Sequence, residues 1–599
     1  MSKIVKALAT AVPLVFLVAN SFAQNGKITV KGKIVESTTG SPVAGATIET
    51  NNKNKATTSN DDGSFILIVD DNNKNINITA VGYENYYLKL RNSSEYSIQL
   101  VSENSKLDDV IVTGYSTQNK KFISGSIVNI SGNELKEIPS SNFTQLLQGK
   151  ASGVQISANS GVPGGGITFR VRGNNSINAA VEPLYIIDGV FINSNNNVQT
   201  GMGGQTQSSP LADISPSDIE DITILKDANA TAIYGSLGAN GVVIVNTKKG
   251  KLNSKGKISF NISQGRSQAL KKFEHITGEE TGILVNEAAI NTAKDNGIDP
   301  GTITLPFPDP SILPTYDRNS GLFRNAKSAN YELNIRGGSD KSTYYIGLGY
   351  NNEESVVKPS GFERITARIN YDSYVTKNIK IGTNTNFSRT YRNVSSNDNN
   401  PTGVINSAIF PRSYVPIFNA DGTYNRAGSF DNHLALINNL DNNAVGWRTI
   451  SNLFAEISII PGLKFKSSFN IDNNDMFENN YSNTLIVAGI AAKGSATSIA
   501  NKALYLTNEQ VLTYVKRING KHTHDINALV GNTFNTVKIQ NTNATGQGFA
   551  TNNIKAISDA ATRSGSSSRS EANLISYFAK ASYTLANKYT LDASNRAEA

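Results

Sequence analysis

From residue 257 onward the sequence repeats one pattern: segments of about ten residues in which apolar and polar side chains alternate. Alternation with period two places the two kinds of side chain on opposite faces of a β-strand. The apolar sets include Tyr331, Leu333, Ile335, Tyr344, Ile346, Leu348, Ile365, Ile369, Phe465 and Phe469. The polar sets include Glu332, Asn334, Arg336, Thr366, Arg368, Asn370, Lys464, Lys466, Ser468 and Asn470. A soluble sandwich has the same period, so the pattern alone leaves two architectures open.

The gaps between the segments favour a membrane barrel. Short turns such as Pro461-Gly462 and Asn519-Gly520 alternate with long polar stretches, as periplasmic turns and outer loops do in outer-membrane barrels. We therefore expect the apolar sets to face lipid and the polar sets to face the lumen. The candidate strands are 257–264, 330–337, 341–351, 363–372, 379–390, 448–459, 463–472, 504–516, 522–534, 573–585 and 588–597. The long loops are 265–329, 391–447, 473–503 and 535–572.

Eleven strands are an odd number, whereas bacterial single-chain barrels have even numbers. Plugged outer-membrane transporters have 22 strands. Doubling the barrel part predicts a full chain that ends near residue ~940. We therefore expect an incomplete antiparallel transmembrane β-barrel of about 11 of 22 strands, in the N-terminal part of a longer sequence.

Composition argues against several other classes of protein. The 599 residues include no cysteine, which excludes disulfides, thiolate metal sites and cysteine nucleophiles. The four histidines form no His-Glu-x-x-His pair, and neither a Gly-x-Ser-x-Gly nor a Walker motif occurs. The net charge of +8 shows no basic cluster, which argues against nucleic acid as a partner. We predict no enzyme, no metal and no cofactor.

The N-terminus predicts export. Lys3 and Lys6 precede an apolar run at 7–19, and Ser21-Phe22-Ala23 places small residues before a cleavage site at Gln24. The run is shorter than the roughly 20 residues of a spanning helix, which disfavours a retained anchor. We predict a signal peptide over 1–23.

Four further segments follow. Residues 24–100 alternate in short strands with turn signals and predict a small β-sandwich. A linker at 101–115 carries the β-branched run Val110-Ile111-Val112-Thr113, which is either a core strand or a peptide that a partner captures by strand addition. Residues 116–250 predict a compact α/β unit, with Ser215 and Asp227 as helix N-caps. The barrel segments occupy 251–599.

Motifs in these segments carry a family resemblance. Pro42-Val43-Ala44-Gly45-Ala46 and Asp62-Gly63-Ser64-Phe65 resemble carboxypeptidase-regulatory-like domains. The motifs at 149–155, 163–165, 170–173, 183–190, 224–228 and 230–245, in that order, resemble SusC/RagA-type TonB-dependent outer-membrane transporters. The resemblance implies that 116–250 is a plug domain inside the barrel. It also implies that Leu107, Asp108, Asp109, Val110, Ile111, Val112 and Thr113 form the TonB box.

The resemblance further implies active import of a glycan or peptide across the outer membrane. TonB would pull the box from the periplasm, where the plug and the N-terminal domain reach, and a SusD-like lipoprotein would cover the barrel from outside. The implied plug-motif residues are Arg170, Arg172, Gly173, Tyr185, Asp188, Gly189, Lys226, Asp227, Tyr234, Gly235, Gly238, Asn240 and Gly241.

Other candidate residues have competing interpretations. Arg170 and Arg172 would pair with lumen carboxylates or be solvated. The Asn/Gly-rich loop Asn193–Gly204 and the Tyr and Asn residues of 391–447 and 473–503 would touch the ligand or be plain surface loops. His522 and His524 share one strand face, but a metal needs more ligands than these two.

Two alternative functions stay open at this level. One is a transporter that also signals to an anti-sigma factor, although such transducers usually carry an extra N-terminal domain. The other is a secreted β-rich adhesin or binding protein, which predicts neither plug motifs nor a TonB box.

Overall fold

The computed structural model describes residues 27–599 except 38–39, 51–54, 71–74, 81–82, 91–94, 102–109, 114–115, 120–124, 136–142, 177–180, 193–210, 394, 396–402, 427, 429 and 521. The predicted signal peptide and the predicted ligand loop Asn193–Gly204 lie outside the described residues. The chain divides into two compact units, one up to Val110 and one from Ile111 onward. No helix among the described residues combines the length and the apolar character that crossing a membrane requires.

The first unit is the predicted β-sandwich. One sheet has the order β4-β1-β7 and the other β3-β2-β5-β6. Alternation along β4 buries Phe65, Leu67 and Val69 and exposes Ile66 and Ile68. Residues from both sheets share one apolar core, so the sheets pack face to face. The strands are β1 (Lys27–Glu36), β2 (Thr47–Thr50), β3 (Ala56–Thr58), β4 (Ser64–Asp70), β5 (Asn75–Thr79), β6 (Tyr86–Lys89) and β7 (Glu95–Leu100).

Two short strands follow, β8 (Val110–Thr113) and β9 (Ser116–Asn119), which form a sheet of their own. The β-branched run predicted as the end of the TonB box is thus extended, as its composition favours.

The predicted α/β plug unit centres on a mixed five-stranded sheet of order β10-β15-β16-β13-β14, with β11 and β12 as a separate hairpin. β13 and β16 run parallel, whereas the other neighbours are antiparallel. The elements are β10 (Ile127–Ser131), a 3-10 helix Gln145–Leu147, β11 (Val154–Ala158), β12 (Ile167–Val171), β13 (Leu184–Ile187), β14 (Val190–Ile192), a 3-10 helix Pro216–Asp218, β15 (Ile219–Leu225), α1 (Ala228–Thr231), a 3-10 helix Ala232–Gly238 and β16 (Val242–Thr247).

Eleven antiparallel strands follow in sequence order as one sheet, which we call the wall. This confirms the predicted number of strands. Among the described residues, β17 and β27 do not pair with each other, so the sheet is open. The strands are β17 (Ser254–Ser267), β18 (Ala326–Gly338), β19 (Ser342–Glu354), β20 (Gly361–Tyr374), β21 (Ile379–Asn393), β22 (Leu440–Ile460), β23 (Leu463–Ser482), β24 (Ser495–Ile518), β25 (His524–Gln547), β26 (Thr562–Leu585) and β27 (Tyr589–Glu598).

The later strands are longer than alternation predicts. β24, β25 and β26 each have 24 residues, or roughly 80 Å at about 3.3 Å per residue. An apolar band of about 25 Å requires the alternation only over part of that length. The outer half of β26, from Thr562 to Asn573, is polar on both faces, so period two disappears there while the backbone pairing continues.

The wall is inverted relative to a soluble sheet. Ile346, Leu348 and Ile369 are exposed on its outer face. Polar side chains of the alternate positions, among them Asn334, Thr366, Arg368, Asn370 and Asn470, are buried on the other face. The predicted division into an apolar outer and a polar inner face is therefore present.

The long loops, predicted simply as polar, contain folded elements with a small apolar core of their own. That core includes Leu322, Val404, Ala435, Leu436 and Ile486. The α-helices are α2 (Gly278–Asp295), α3 (Val404–Ile409), α4 (His433–Asn439) and α5 (Val487–Ile490), and the 3-10 helices are Pro300–Thr302, Pro310–Ile312 and Ile557–Asp559. Sequence periodicity missed them because most are shorter than two turns.

Candidate functional site: the boundary between plug and wall

The turn between β13 and β14 brings the plug against the wall. Asp188 has a positive φ of 49°, and Gly189 follows with φ of 90°. The Asp188 carboxylate accepts from the backbone N–H of Thr247 at 3.0 Å and from its hydroxyl at 2.7 Å. These bonds tie the turn to the end of the neighbouring strand β16, so the carboxylate is held in place before any wall residue contacts it.

Arg368 of β20 is the centre of the first contact with the wall, and its side chain is 1% exposed. Its Nη1 lies 3.0 Å from Asp188 Oδ2, and its Nε lies 3.4 Å from Asp218 Oδ2. The hydroxyl of Tyr345 donates to Asp218 at 2.7 Å. Asn370 donates to the Thr247 hydroxyl at 2.8 Å. One wall cation thus joins two plug carboxylates, and each buried charge has a partner.

Arg448 of β22 makes the second contact. It binds Asp472 of the wall through Nε and Nη2, both at 2.7 Å, and its Nη1 lies 3.0 Å from Asp213 of the plug. A bidentate pair within the wall fixes the guanidinium plane, so its remaining N–H is aimed at the plug. Arg364 adds a bond of 2.7 Å to the carbonyl of Ala212.

The third contact involves Gly235 and the last strand. Glu598 accepts from the backbone N–H of Ser236 at 3.2 Å and from its hydroxyl at 2.7 Å, and Arg596 donates to the carbonyl of Ile233 at 2.8 Å. Gly235 has φ of 61°, and a Cβ there would lie 2.1 Å from Glu598 Oε1. This close approach requires glycine.

The two predicted helix caps take other partners. Asp227 makes no cap hydrogen bond and instead accepts from the backbone N–H of Ser126 at 2.5 Å and pairs with Arg172. Ser215 also caps nothing and donates to Glu332 of the wall at 3.1 Å. Both residues occupy the predicted N-cap positions, but their side chains do not cap, because these helices are about one turn long and the side chains bind tertiary partners instead.

Arg172 and Arg170 therefore differ. Arg172 pairs within the plug, with Asp227. Arg170 is half-buried on β12 opposite Gln155, near Glu182, and no wall carboxylate among the described residues lies within ion-pair distance of it. Burial raises the pKa of Glu182, although that carboxylate accepts from Tyr185 OH at 3.3 Å. Burial and the neighbouring Glu182 raise the pKa of Tyr185.

Several plug-motif residues surround one cavity of about 410 Å³. Lys226, which lines it, donates to the carbonyl of Ser152 at 2.9 Å. The lining residues from the motif are Arg172, Lys226, Gly235, Asn240 and Gly241. Tyr234 lies nearby and packs against Phe191, with the ring centroids 6.1 Å apart. Of the other motif residues, Gly238 is buried. Gly173 has a positive φ.

The remaining predicted site residues are placed as follows. Val110, Ile111, Val112 and Thr113 form β8, whereas Leu107, Asp108 and Asp109 lie outside the described residues. His524 lies 2.7 Å from the hydroxyl of Tyr583, and His522 is exposed. No group of metal-ligating side chains occurs in the part of the chain that the structure describes.

Sequence reasoning missed Arg364, Arg448 and Arg596 and placed Arg368 only in a lumen-facing set. An arginine at an inward position of an alternating strand could have predicted these contacts, because a buried guanidinium requires a hydrogen-bond acceptor. Which plug carboxylate supplies that acceptor depends on how the two elements dock.

Comparison with known proteins agrees with this architecture. Residues 119–242 match the TonB-dependent receptor plug domain, and residues 30–112 match the CarboxypepD_reg-like domain. A plug domain joined to such a wall defines the class of TonB-dependent receptors. Within that class the chain is similar to the SusC-like receptors.

The similar proteins are receptors, not enzymes. The chain is 30% identical over 596 residues to TonB-dependent receptor P3 of Formosa agariphila, covering 98% of this chain and 56% of the relative. It is 29% identical over 611 residues to TonB-dependent receptor SusC of Bacteroides thetaiotaomicron, covering 98% and 57%. The chain therefore spans about half the length of the curated relatives it matches. The fold resembles the RagAB peptide importer in its open-open state, with TM-score 0.67 and 24% identity over 82% of this chain and 56% of that chain.

Proposed function

We propose that the full-length protein imports a nutrient, either a glycan or a peptide, across the outer membrane with energy delivered by TonB. The outer membrane has no ATP and no maintained potential, so the energy must arrive through a mechanical link. The observation that carries the proposal is a plug attached to an inward-facing polar wall by a few buried charged contacts, such as Arg368 with Asp188 and Asp218. In this proposal the wall lies in the outer membrane, while the plug and the N-terminal domain reach the periplasm.

TonB would bind at the predicted box. Among the described residues, β8 (Val110–Thr113) pairs with β9 alone, so its other edge offers free main-chain donors and acceptors. Strand addition at such an edge derives its affinity from the main chain and therefore needs little side-chain information. The β-branched residues keep the segment extended for that pairing.

Force applied at β8 would reach the plug through β10. That strand is the edge of the plug sheet and pairs with β15 alone, over the five residues Ile127–Ser131. Just before it, Asp227 holds the backbone N–H of Ser126. We infer that a pull separates β10 first, while the β13–β16 part stays attached to Arg368. A path along the wall would then open without expelling the whole plug.

The test uses the full-length protein in cells. Deleting Leu107–Thr113 is expected to abolish uptake while surface assembly continues. A finer pair of variants is V112P and V112T: proline removes one main-chain donor, whereas threonine keeps the backbone and the branched side chain. We expect uptake to fall at least tenfold for V112P and to stay near the parent value for V112T. Uptake unchanged by the deletion would overturn the proposal.

A SusD-like surface lipoprotein is the proposed outer partner. The loops that hold α2, α3 and α4 are folded around their own core, so they offer a defined surface to a lid. Affinity purification of the full-length protein from its native membrane is expected to recover one lipoprotein in about equal amount. Recovery of the receptor without such a lipoprotein contradicts the two-component arrangement and leaves the TonB proposal standing.

A further inference from the structure

A cavity of about 470 Å³ lies between the plug and the wall, near the ends of the strands joined by the short turns. The plug contributes Asp188, Phe191 and Asn246 to its lining, and the wall contributes residues of β21 to β25. Asp188, Gly189 and Tyr234 of the predicted plug motif line it, but its wall side was not predicted. Its size is within the usual range of about 300–1,000 Å³ for small-ligand pockets.

Four lysines line this cavity: Lys249, Lys380, Lys464 and Lys466. Lys380, Glu456 and Lys466 stand directly opposite one another on the neighbouring strands β21, β22 and β23. The ammonium groups of Lys380 and Lys466 lie 5.5 Å and 4.9 Å from the ring centroid of Phe454. Two strands thus bring their cations to one aromatic side chain of the strand between them.

The carboxylates nearby compensate only part of this charge. Lys380 pairs with Asp372 and Lys464 with Glu456, each at 2.9 Å. The lining carboxylate Asp188 is bound by Arg368. For Lys249 and Lys466, no carboxylate among the described residues lies within ion-pair distance, and Glu509 is the remaining lining carboxylate. Two lysines, Lys249 and Lys466, are therefore left with one remaining lining carboxylate, Glu509, so the cavity has an excess of positive charge.

A second observation points to the same cavity. Asn384 lines it and is buried, and its Oδ1 has no hydrogen-bond partner within the described part of the chain. A buried amide oxygen without a donor is unfavourable, and a ligand hydroxyl in the cavity would supply the missing donor. The rings of Phe191, Tyr234 and Phe454 supply flat apolar surface beside it.

We propose that this cavity binds an anionic, hydroxyl-bearing group of the transported substrate, of the kind that a sugar carboxylate presents. The lysines provide donors for the carboxylate, Asn384 accepts from a hydroxyl, and the aromatic rings pack against the carbon skeleton. The inference rests on the proposed import function and names the substrate class for it. Because the cavity lies between β14 and the wall, its occupant would sit on the path that the plug opens.

The test is equilibrium binding to purified full-length protein at low salt, without TonB, measured by saturation-transfer NMR. The probes are glucuronate, glucose and N-acetylalanine. We expect glucuronate to bind at least tenfold more tightly than either of the others, because it alone carries both the carboxylate and the hydroxyl groups. The variant K249Q/K466Q is expected to remove that preference, and K249R/K466R to retain most of it.

The matched control is K271Q/K538Q, which makes the same charge change at two exposed positions of the outer loops and strands. It should bind like the parent. Equal affinity for glucuronate and glucose would overturn the proposal, as would an unchanged preference in K249Q/K466Q. Equal affinity for N-acetylalanine and glucuronate would overturn the sugar-acid assignment in favour of a peptide carboxylate. Since TonB is absent, these outcomes are independent of the uptake assay.

Discussion

The core of the N-terminal sandwich and the boundary between plug and wall are both buried, but they differ in composition. The sandwich core consists of apolar side chains such as Ile34, Ile48 and Phe65. The boundary has one apolar contact, in which Val511, Leu529 and Phe578 of the wall pack on the plug. It also buries several arginine, aspartate and asparagine side chains, and Arg368 and Tyr345 are among the largest fully buried side chains of the described residues. The difference shows which surfaces are suited to separate.

Opening an apolar core costs a free energy of about 25 cal/mol for each Å² of apolar surface that becomes exposed to water. Water forms no compensating contact with that surface. Opening a polar boundary lets water replace each lost partner, so a neutral hydrogen bond contributes only about 0.5–1.5 kcal/mol net. A few buried charged pairs make the docking of plug on wall specific, since removing one partner leaves the charge of the other buried and unpaired. The polar part of the boundary is therefore easier to separate in water than an apolar core of the same area.

The largest effect is expected from Arg368→Ala. The variant leaves Asp188 and Asp218 buried without their cation and should destabilise the attached part of the plug by about 3–5 kcal/mol. Hydrogen exchange of β13, β14 and β16 in the full-length protein should then accelerate at least 100-fold. Arg389→Ala is the matched control, because its pair with Glu363 is about one-third exposed and contributes no more than about 1 kcal/mol. Similar exchange in the two variants would remove the distinction between buried and exposed pairs.

The sandwich should respond to a cavity instead. Ile48→Ala is expected to cost about 2–5 kcal/mol, because the side chain is fully buried between the two sheets. Exchange should rise across residues 27–100 while the plug strands keep their parent rates. Ile66→Ala, on the exposed face of β4, should stay within about 0.5 kcal/mol. A plug that loosens together with the sandwich would mean that the two regions do not unfold independently.

Gly235→Ala tests the contact with the last strand. Its Cβ would collide with Glu598, in addition to the strain of a positive φ, so we expect a loss of about 1–3 kcal/mol. Gly153→Ala separates the two causes, since that plug glycine has φ of 70° but nothing within 4 Å of an added Cβ. Faster exchange at Ile233–Ser236 in the first variant and not in the second supports the close approach. Equal effects would attribute the loss to backbone strain alone.

The smallest effect is expected from Asp227→Asn. Asparagine still accepts from the backbone N–H of Ser126 but loses the ion pair with Arg172, whose side chain is 55% exposed. Solvent screens such a pair, so the loss should be at most about 0.5–1 kcal/mol and confined to exchange of β10. Asp227→Ala also removes the acceptor and should loosen β10 further. Identical behaviour of the two variants would argue against the bond to Ser126.

Sequence reasoning succeeded where a local pattern reports a local environment. The eleven wall strands follow from alternation because each residue of a strand faces one of two environments, the apolar set outward and the polar set inward. β13 and β16 follow from short apolar runs bounded by glycine. Residues 562–572 of β26 were missed because both faces of the strand are exposed there, so neither face has to be apolar and the alternation disappears.

The candidate site was predicted less completely. Asp188, Asp227 and Gly235 emerged from motifs, but their partners did not. Asp188 meets Arg368 across 180 residues, and Gly235 meets Glu598 across more than 360. Asp227 and Ser215 occupy the predicted N-cap positions, but their side chains bind tertiary partners instead of the helix N–H groups.

The sequence by itself determined the β-rich class, the order of sandwich, plug and wall, and the division of each wall strand into an apolar and a polar face. These depend on composition and on periods of a few residues, which any backbone of that type must obey. Tertiary structure alone decided which charges meet at the boundary and which lysines gather around Phe454. Such pairings depend on the register of eleven strands and on the docking of the plug, where a shift of one residue would send each inward side chain to the opposite face.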